Sequence, residues 1–286
     1  MREYEIDANG KINIAIDVIE KKQDGYHNIE TIMHSIKLHD TLRITKKLSG
    51  ITIECSNKYV PCGRENLAYK AAEIIRSKFN IKDGVRIVIK KRIPVSAGLG
   101  GGSSDAAACL KAMNQMFCLG LKSDELIDLG RLIGADVPFC VLGATAFAQG
   151  KGDILTRIEC KPKINIILIK PDIRISTEWA YNNLTLGKTQ NKTDIRLLIN
   201  ALTQNNIKYV AANMRNAFEG LIERFYPQVK HIKNALNESG AIGSIMSGSG
   251  PTVFGIYEDV EVMEKAYEEF CGRDMECFIE KPDSAL

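Results

Sequence analysis

The feature that most constrains this chain is a glycine-rich stretch that runs directly into a helical pattern. It reads PVSAGLGGGSSDAAA from Pro94 to Ala108. Four glycines within five positions cost chain entropy, so they favour a loop whose backbone must approach another group closely. The spacing that follows, with Ala106 and Leu110 on one face, predicts a helix whose N-cap is Ser103 or Ser104.

A glycine-rich loop at the start of a helix is typical of an anion-binding site. Free backbone N–H groups and the positive end of the helix dipole meet there, and the serine hydroxyls could bind phosphate oxygens or a magnesium ion. The alternative is a plain turn with a serine cap. A P-loop is excluded because no lysine follows the glycines, and a dinucleotide fingerprint is disfavoured because its last glycine position is Ser103.

Charge and composition exclude several other classes of protein. The chain has 286 residues with 38 basic and 35 acidic side chains, a balance that does not indicate nucleic acid or a membrane as a partner. The N-terminus has no apolar signal core and no stretch approaches ~18 apolar residues, so we predict a cytoplasmic protein. The eight cysteines form no CxxC pair and are predicted to be reduced thiols rather than zinc ligands.

The hydrophobic periodicity predicts an α+β protein with two domains, 1–157 and 158–286. In the first part, strands at 12–18, 85–89 and 144–148 accompany helices near 67–79, from 103 and from 123, the last with Ser123 as its cap. The second part follows a β-α-β-β-α-β order, which is ferredoxin-like. Its predicted elements are a strand at 164–169, helices to about 239 with a cap at Ser176 or Thr193, strands at 241–246 and 252–257, a helix at 260–271 and a strand at 275–280.

Several blocks of this sequence resemble the GHMP kinases. The stretch from Pro94 is similar to their ATP-binding motif, P-x-x-x-G-L-G-S-S-A-A, in the expanded form GLGGGSSDAA. In chain order, the other blocks are GKIN from Gly10, KQDGYH from Lys22, LIGADVPF from Leu132 and SGSGPT from Ser247. Asn9-Gly10 stands where the family has Pro-Ala, and Lys22 stands where it has Arg. The DGYH and GADVPF elements narrow the resemblance to members that act on a cytidine-diphospho polyol.

The resemblance implies a two-domain GHMP kinase fold, with an N-terminal domain like domain 2 of ribosomal protein S5 and a ferredoxin-like C-terminal domain. It also implies phosphorylation of the 2-hydroxyl of the polyol by ATP with Mg²⁺, in the non-mevalonate route to isoprenoid precursors. Such enzymes would be monomers or homodimers with small-molecule partners only. The alternatives are another GHMP kinase acting on homoserine or a mevalonate-type substrate, a non-catalytic nucleotide-binding protein, and a Rossmann-type oxidoreductase, which the α+β order disfavours.

The same resemblance assigns the catalytic and ATP-binding residues. Asp136 would be the base and contact the substrate, and Lys11 would orient the hydroxyl and keep the carboxylate ionised. From the residues alone, Asp136 could instead cap a helix, Lys11 could lie on an exposed strand face, and Asn66 could be a helix cap. The implied ATP-binding residues are Asn66, Lys91, Pro94, Gly98, Leu99, Gly100, Gly101, Gly102, Ser103 and Ser104, with Ser104 as the candidate Mg²⁺ ligand.

A second set of residues is implied to bind the acceptor. Tyr26 and His27 would hold the cytidine, since an aromatic ring stacks on a pyrimidine and imidazole bonds its edge. Tyr181 would add an aromatic contact, unless it belongs to the core. The loop Ser247 to Gly250 would close over the phosphates of the substrate or of ATP. The full substrate-binding set is Asn13, Tyr26, His27, Asp136, Tyr181, Ser247 and Gly248.

Overall fold

Two long strands open the chain, and each contributes to both of the units into which the structure divides. The computed structural model describes residues 3–23, 25–160, 162–185, 194–271 and 275–282. Unit 1 consists of Met1–Lys11, Ser35–Val95 and Gly100–Ala144, and unit 2 of Ile12–His34, Ser96–Leu99 and Thr145–Leu286. These units are built from non-consecutive segments, and the domain boundary at 157/158 stays a prediction.

Strands and helices of unit 1 follow the apolar spacing of the sequence. The apolar residues of the strands and of the helices are buried together in one core, which is what amphipathic elements require. The elements, with the two shared strands first, are β1 (Glu3–Lys21), β2 (His27–Lys47), β3 (Ile51–Cys55), α1 (Leu67–Lys78), β4 (Gly84–Lys90), α2 (Gly101–Met116), α3 (Ser123–Arg131) and α4 (Val137–Leu142).

The core of unit 1 forms where helices α1 and α2 pack on each other and on the sheet. Strand β4 pairs antiparallel with β2 and parallel with β3. The contacting helix faces are rich in alanine, including Ala68, Ala71 and Ala106, all of them fully buried. Because these side chains are small, the two helices can approach each other closely, which fixes α2 and the glycines at its start.

The structure corrects two of the predicted helix caps. The N-cap of α2 is Gly100, which has a left-handed φ of 70°, so Ser103 and Ser104 lie inside the first turn rather than before it. The helix begins among the glycines because Gly100 adopts this φ without the strain that a side chain would add. In α3, Lys122 is the N-cap and Ser123 is the first helical residue.

Unit 2 contains the strands and helices in the predicted ferredoxin-like order. Strands β7, β9, β10 and β11 form one antiparallel sheet in the order β11-β7-β10-β9. Smaller pairings join β8 to β1, β5 to β2 and β6 to β5. The elements are β5 (Thr145–Gln149), β6 (Ile154–Arg157), β7 (Asn165–Pro171), α5 (Thr177–Asn183), α6 (Ile195–Thr203), α7 (Ile207–Asn213), β8 (Arg215–Asn216), α8 (Glu219–Phe225), α9 (Pro227–Glu238), β9 (Gly243–Met246), β10 (Val253–Tyr257), α10 (Val260–Phe270) and β11 (Met275–Glu280).

The predicted cap at Ser176 is confirmed, since its side chain accepts a hydrogen bond from the Trp179 N–H. The alternative cap Thr193 lies outside the described residues. Each of the eight cysteines is a free thiol. Within the described ranges, no helix combines the length and apolar character that crossing a bilayer requires.

Candidate active site

Lys11 and Asp136 meet in unit 1, although they lie far apart in the sequence. The Lys11 Nζ lies 3.6 Å from Asp136 Oδ2. Lys11 is only 5% exposed, so the alternative of an exposed strand face is wrong: this part of β1 is buried on both sides. The Asp136 side chain keeps 35% of its surface exposed, which leaves its carboxylate accessible to a ligand.

The start of helix α4 positions Asp136. The residue occupies the N-cap position, but its side chain makes no capping hydrogen bond. Instead, the turn is closed by the Val137 N–H, which donates to the Gly134 carbonyl, and Pro138 lies in the first helical turn. The Asp136 carboxylate is therefore not used to cap the helix, and the capping alternative is not what the structure shows.

The glycine-rich loop packs on the aliphatic stem of Lys11. A Cβ added at Gly100 would lie 3.0 Å from Lys11 Cγ, and Gly100 also has a positive φ. A side chain here would press on the lysine stem and strain the backbone, so the close contact and the positive φ both favour glycine. Ser104 is 2% exposed, and its hydroxyl donates to the Asn9 carbonyl. Ser103 is half-buried.

A buried ionic cluster joins the strand that enters the glycine-rich loop to the helix that follows it. The Lys91 ammonium contacts the carboxylates of both Asp40 and Asp105, at 3.0 Å for Asp105. Asp40 is fully buried, and its Oδ1 accepts the backbone N–H groups of Arg92 at 2.6 Å and Ile93 at 2.9 Å. Asp40 thus fixes the chain before the loop, and Lys91 links it to helix α2 through Asp105.

Asp40, Lys91 and Asp105 are called here the Lys91 cluster. Burial shifts the pKa values of two of its members, Asp105 and Lys91. Burial raises the pKa of Asp105 to about 7, and the nearby Lys91 ammonium opposes the rise. The second oxygen of Asp105 has no hydrogen-bond partner among the described residues. The pKa of Lys91 is raised: burial lowers it, but the charges of Asp105 and Asp40 together outweigh burial. The Lys91 ammonium is therefore engaged inside unit 1, and its direct contact with ATP stays a prediction.

Asn66 has the capping role that its position in the sequence allows. Its side-chain oxygen accepts the Ala68 N–H at 2.8 Å, and its amide donates to the Pro61 carbonyl at 2.7 Å. Both ends of the amide are used at the start of α1. The capping alternative is confirmed, and a contact between Asn66 and ATP stays a prediction.

In unit 2, three aromatic side chains form a row that begins at His27. The His27 and Tyr181 rings lie 5.0 Å apart with an interplanar angle of 37°, and Tyr181 meets Phe218 edge-on at 4.7 Å. Phe218 is fully buried. Burial, and next the charge of Lys21, lowers the pKa of His27, and both effects favour the uncharged ring. Tyr181 therefore packs on the core and also supports the residue predicted to bind cytidine.

Tyr26 precedes this row and presents its ring to solvent. The side chain is 56% exposed, and the Lys151 ammonium lies 3.4 Å from the ring centroid in a cation–π contact. Lys151 was not identified as a site residue from the sequence. The contact brings a positive charge next to the residue predicted to stack on a base.

Ser247 connects strand β1 with the first half of the glycine-rich loop. Its hydroxyl donates to the Gly98 carbonyl at 3.0 Å and accepts the Asn13 N–H at 3.3 Å. The Asn13 side chain donates to Thr31 at 2.8 Å. A Cβ on Gly98 would lie 2.2 Å from the Ser247 carbonyl oxygen, so only glycine fits. The buried members of the predicted site in this region are Asn13, Pro94, Leu99, Ser247 and Gly248.

Two family models match parts of the chain that carry some of these residues. The one described as the GHMP kinases N terminal domain matches residues 66–144, and the one described as GHMP kinases C terminal matches residues 194–274. The first range includes the glycine-rich loop and Asp136, and the second includes the Ser247 loop. The chain belongs to the GHMP kinase family.

Relatives over nearly the whole chain define its place within that family. A protein of Acetivibrio thermocellus named 4-diphosphocytidyl-2-C-methyl-D-erythritol kinase is 46% identical over 279 residues, which are 98% of this chain and 99% of that protein. One of Clostridium botulinum with the same name is 43% identical over 96% of this chain and 98% of that protein. The chain is thus a GHMP kinase of the 4-diphosphocytidyl-2-C-methyl-D-erythritol kinase group.

A solved structure agrees with this placement. A crystal structure of 4-(cytidine 5'-diphospho)-2C-methyl-D-erythritol kinase has a TM-score of 0.84 at 31% identity, covering 99% of this chain and 100% of that one. A homoserine kinase from Cytophaga hutchinsonii has a TM-score of 0.79 at 16% identity, covering 99% of this chain and 95% of that one. The second likeness shows the fold alone.

Proposed function

We propose that the protein transfers the γ-phosphoryl group of ATP to the 2-hydroxyl of 4-diphosphocytidyl-2-C-methyl-D-erythritol. The products are the 2-phosphate and ADP, in the non-mevalonate route to isoprenoid precursors. The main support for this reaction is the Lys11–Asp136 pair, in which a buried ammonium lies 3.6 Å from a partly exposed carboxylate. The substrate follows from the relatives, which bear the name of this kinase over nearly their full length.

Asp136 acts as the general base in this proposal. The acceptor hydroxyl is tertiary and is a weak nucleophile while it holds its proton, so a carboxylate takes the proton as the phosphoryl group arrives. The 35% exposure of the side chain supports contact with a substrate. Lys11 pairs with this carboxylate and orients the hydroxyl.

The glycine-rich loop and the start of α2 hold the ATP phosphates. The backbone N–H groups of the first helical turn have no partner within the helix, and the α2 N-terminus carries no side-chain cap. Ser104 is the proposed Mg²⁺ ligand, because its hydroxyl donates its proton to the Asn9 carbonyl and its oxygen has lone pairs that a cation could use. Bound there with ATP, Mg²⁺ would neutralise charge on the phosphates.

Replacing Lys11 with Met is expected to lower kcat about 100-fold and to change the KM for ATP little. The loss is the scale seen when one charge-stabilising donor is removed from an active site. Steady-state kinetics with both substrates tests it. Lys170→Met is the matched control, because Lys170 is also buried and paired with a carboxylate, 3.3 Å from Glu276. A rise in the KM for ATP at constant kcat would make Lys11 a phosphate ligand instead.

Replacing His27 with Ala is expected to raise the KM for the cytidine substrate on the order of 10-fold. The variant removes the ring that packs on Tyr181 and the polar edge proposed to bond the base. The expected loss of binding free energy is about that of one hydrogen bond. The KM for ATP should stay unchanged. The exposed His231 gives the control variant His231→Ala. Equal losses for both substrates would assign His27 to folding rather than to recognition.

The activity itself is tested by a coupled assay of ADP release with ATP and Mg²⁺. The cytidine-diphospho-methylerythritol substrate, homoserine and mevalonate are run in parallel. We expect turnover with the cytidine compound alone. Turnover with homoserine or mevalonate instead would overturn the substrate assignment, and ATP binding without turnover of any acceptor would favour a non-catalytic nucleotide-binding protein.

A further inference from the structure

A short segment of unit 2 that no sequence motif singled out is fixed on strand β1. This segment, called the 215–219 segment, contains β8 and the first residue of α8. Arg215 pairs with Ala15 in a parallel ladder. The Arg215 guanidinium also binds Asp17 through two nitrogens, at 2.9 and 2.6 Å. Because Asp17 is buried and also lies on β1, the segment is held rigidly at that strand.

The next residue, Asn216, directs its side chain at the backbone around Ser247. Its amide nitrogen donates to the Met246 carbonyl at 2.7 Å and to the Gly248 carbonyl at 2.8 Å. Its oxygen accepts the Phe218 N–H at 2.9 Å. The side chain thus uses both donor hydrogens and its acceptor, and it holds the chain on either side of Ser247.

Glu219 binds the same stretch of backbone. Its carboxylate accepts the Met246 N–H at 3.1 Å, and its other oxygen pairs with Lys233 at 2.9 Å. The N–H and the carbonyl of Met246 are therefore both bound by side chains of the 215–219 segment. Little freedom is left for the position of Ser247.

Because Ser247 contacts the glycine-rich loop directly, fixing Ser247 also restricts the backbone of the loop. Its hydroxyl donates to the Gly98 carbonyl, and the Thr252 N–H donates to the Ala97 carbonyl at 3.3 Å. The approach at Gly98 is so close that even one carbon atom on this residue would collide with the Ser247 carbonyl. A shift of Ser247 must consequently move the loop backbone at Gly98.

We propose that Asn216 is a positioning residue for ATP: through Ser247 it sets the backbone of the glycine-rich loop in the conformation that binds the phosphates. It acts through another residue and is not itself catalytic. This inference rests on the proposed function for the role of the loop. It adds a residue from a distant part of the chain that governs nucleotide affinity.

The test compares Asn216→Asp with Asn165→Asp. Asn165 is a matched control in the same unit, since its buried amide also donates to two backbone carbonyls, those of Tyr257 at 3.2 Å and Glu258 at 3.4 Å. Both changes replace two donated hydrogen bonds with a carboxylate facing carbonyl oxygens. A merely structural role predicts the same consequences for both variants.

We expect Asn216→Asp to weaken ATP binding about 10-fold or more, measured by calorimetric titration and as the KM for ATP. Asn165→Asp should keep the ATP affinity within about twofold, even where urea unfolding shows a comparable loss of stability. ATP affinity unchanged in Asn216→Asp would overturn the inference. So would a rise confined to the KM of the cytidine substrate.

Two further measurements keep the result interpretable. If Asn216→Asp does not fold, Asn216→Ala removes the same donors without adding a charge, and the same fall in ATP affinity is expected. The double variant with Ser247→Ala should show non-additive losses, because both residues act on Gly98. Titration with ATP needs no acceptor, so failure of the proposed substrate would show in the turnover assay and leave this test intact.

Discussion

Replacing Asp136 with Asn is expected to lower kcat by about 10² to 10⁴-fold while both substrates still bind. Asparagine has nearly the same shape but cannot accept the hydroxyl proton, and removal of a general base costs about this factor. Folding should be little affected, because the Asp136 side chain makes no helix-capping hydrogen bond. Single-turnover phosphoryl transfer and calorimetric titration with ATP and the cytidine substrate would separate chemistry from binding.

The control for this prediction is Asp259→Asn. Asp259 is also the residue before a helix, but its side chain caps α10 through the N–H groups of Glu261 and Val262. This change also removes one negative charge at the start of a helix, but Asp259 is not the carboxylate that pairs with Lys11. Turnover should therefore remain near that of the parent. Near-normal kcat in Asp136→Asn would remove Asp136 from the proposed mechanism.

Replacing Asp40 with Asn is expected to destabilise the protein by about 3–5 kcal/mol, the cost of breaking a buried ion pair from one side. Asp40 is fully buried and binds Lys91 as well as the N–H groups of Arg92 and Ile93. An amide would turn a donor toward the Lys91 ammonium or lose the backbone bonds. Urea unfolding gives the free energy, and Tm should fall on the order of 10 °C.

Asp105→Asn is the matched variant within the same cluster, and its effect should be small and depend on pH. Burial raises the folded-state pKa of Asp105 to about 7, above that of an exposed aspartate. Between about pH 4 and 7 the folded protein holds a proton that the unfolded chain has released, so this group lowers stability as pH rises. Asparagine at this position does not titrate, so the variant should gain stability relative to the parent between about pH 5 and pH 8.

Unfolding at these two pH values distinguishes the roles of the two aspartates. If Asp40→Asn and Asp105→Asn lose the same free energy of unfolding at the higher pH, the two aspartates do not have different roles. Asp40 would then not be the charged anchor, and burial would not disfavour the charged form of Asp105. If the stability of Asp105→Asn relative to the parent is the same at both pH values, then Asp105 does not titrate in this range in the folded state.

Much of the fold could be predicted from the sequence because local periodicity encodes it. The strand at 12–18, the helix after Gly100 and the final strand–helix–strand order follow from apolar spacing within short windows of the chain. The caps were less predictable. A serine beside a helix start is a plausible cap, but the start of α2 depends on the φ of Gly100, which neighbouring packing selects.

The sequence by itself determined the family and the ferredoxin-like order, because these depend on residue types and apolar spacing within recognisable blocks. The pairing of Lys11 with Asp136 was implied by the resemblance to the family, and the structure places the two side chains together. Only the tertiary structure decided that Lys91 faces two aspartates, that Asn66 caps a helix and that Asn216 holds the Ser247 backbone. Most of these contacts join groups far apart in the chain. Nothing local specifies such a partner, since a buried charge or amide takes whichever complementary group the packed chain brings within hydrogen-bond distance.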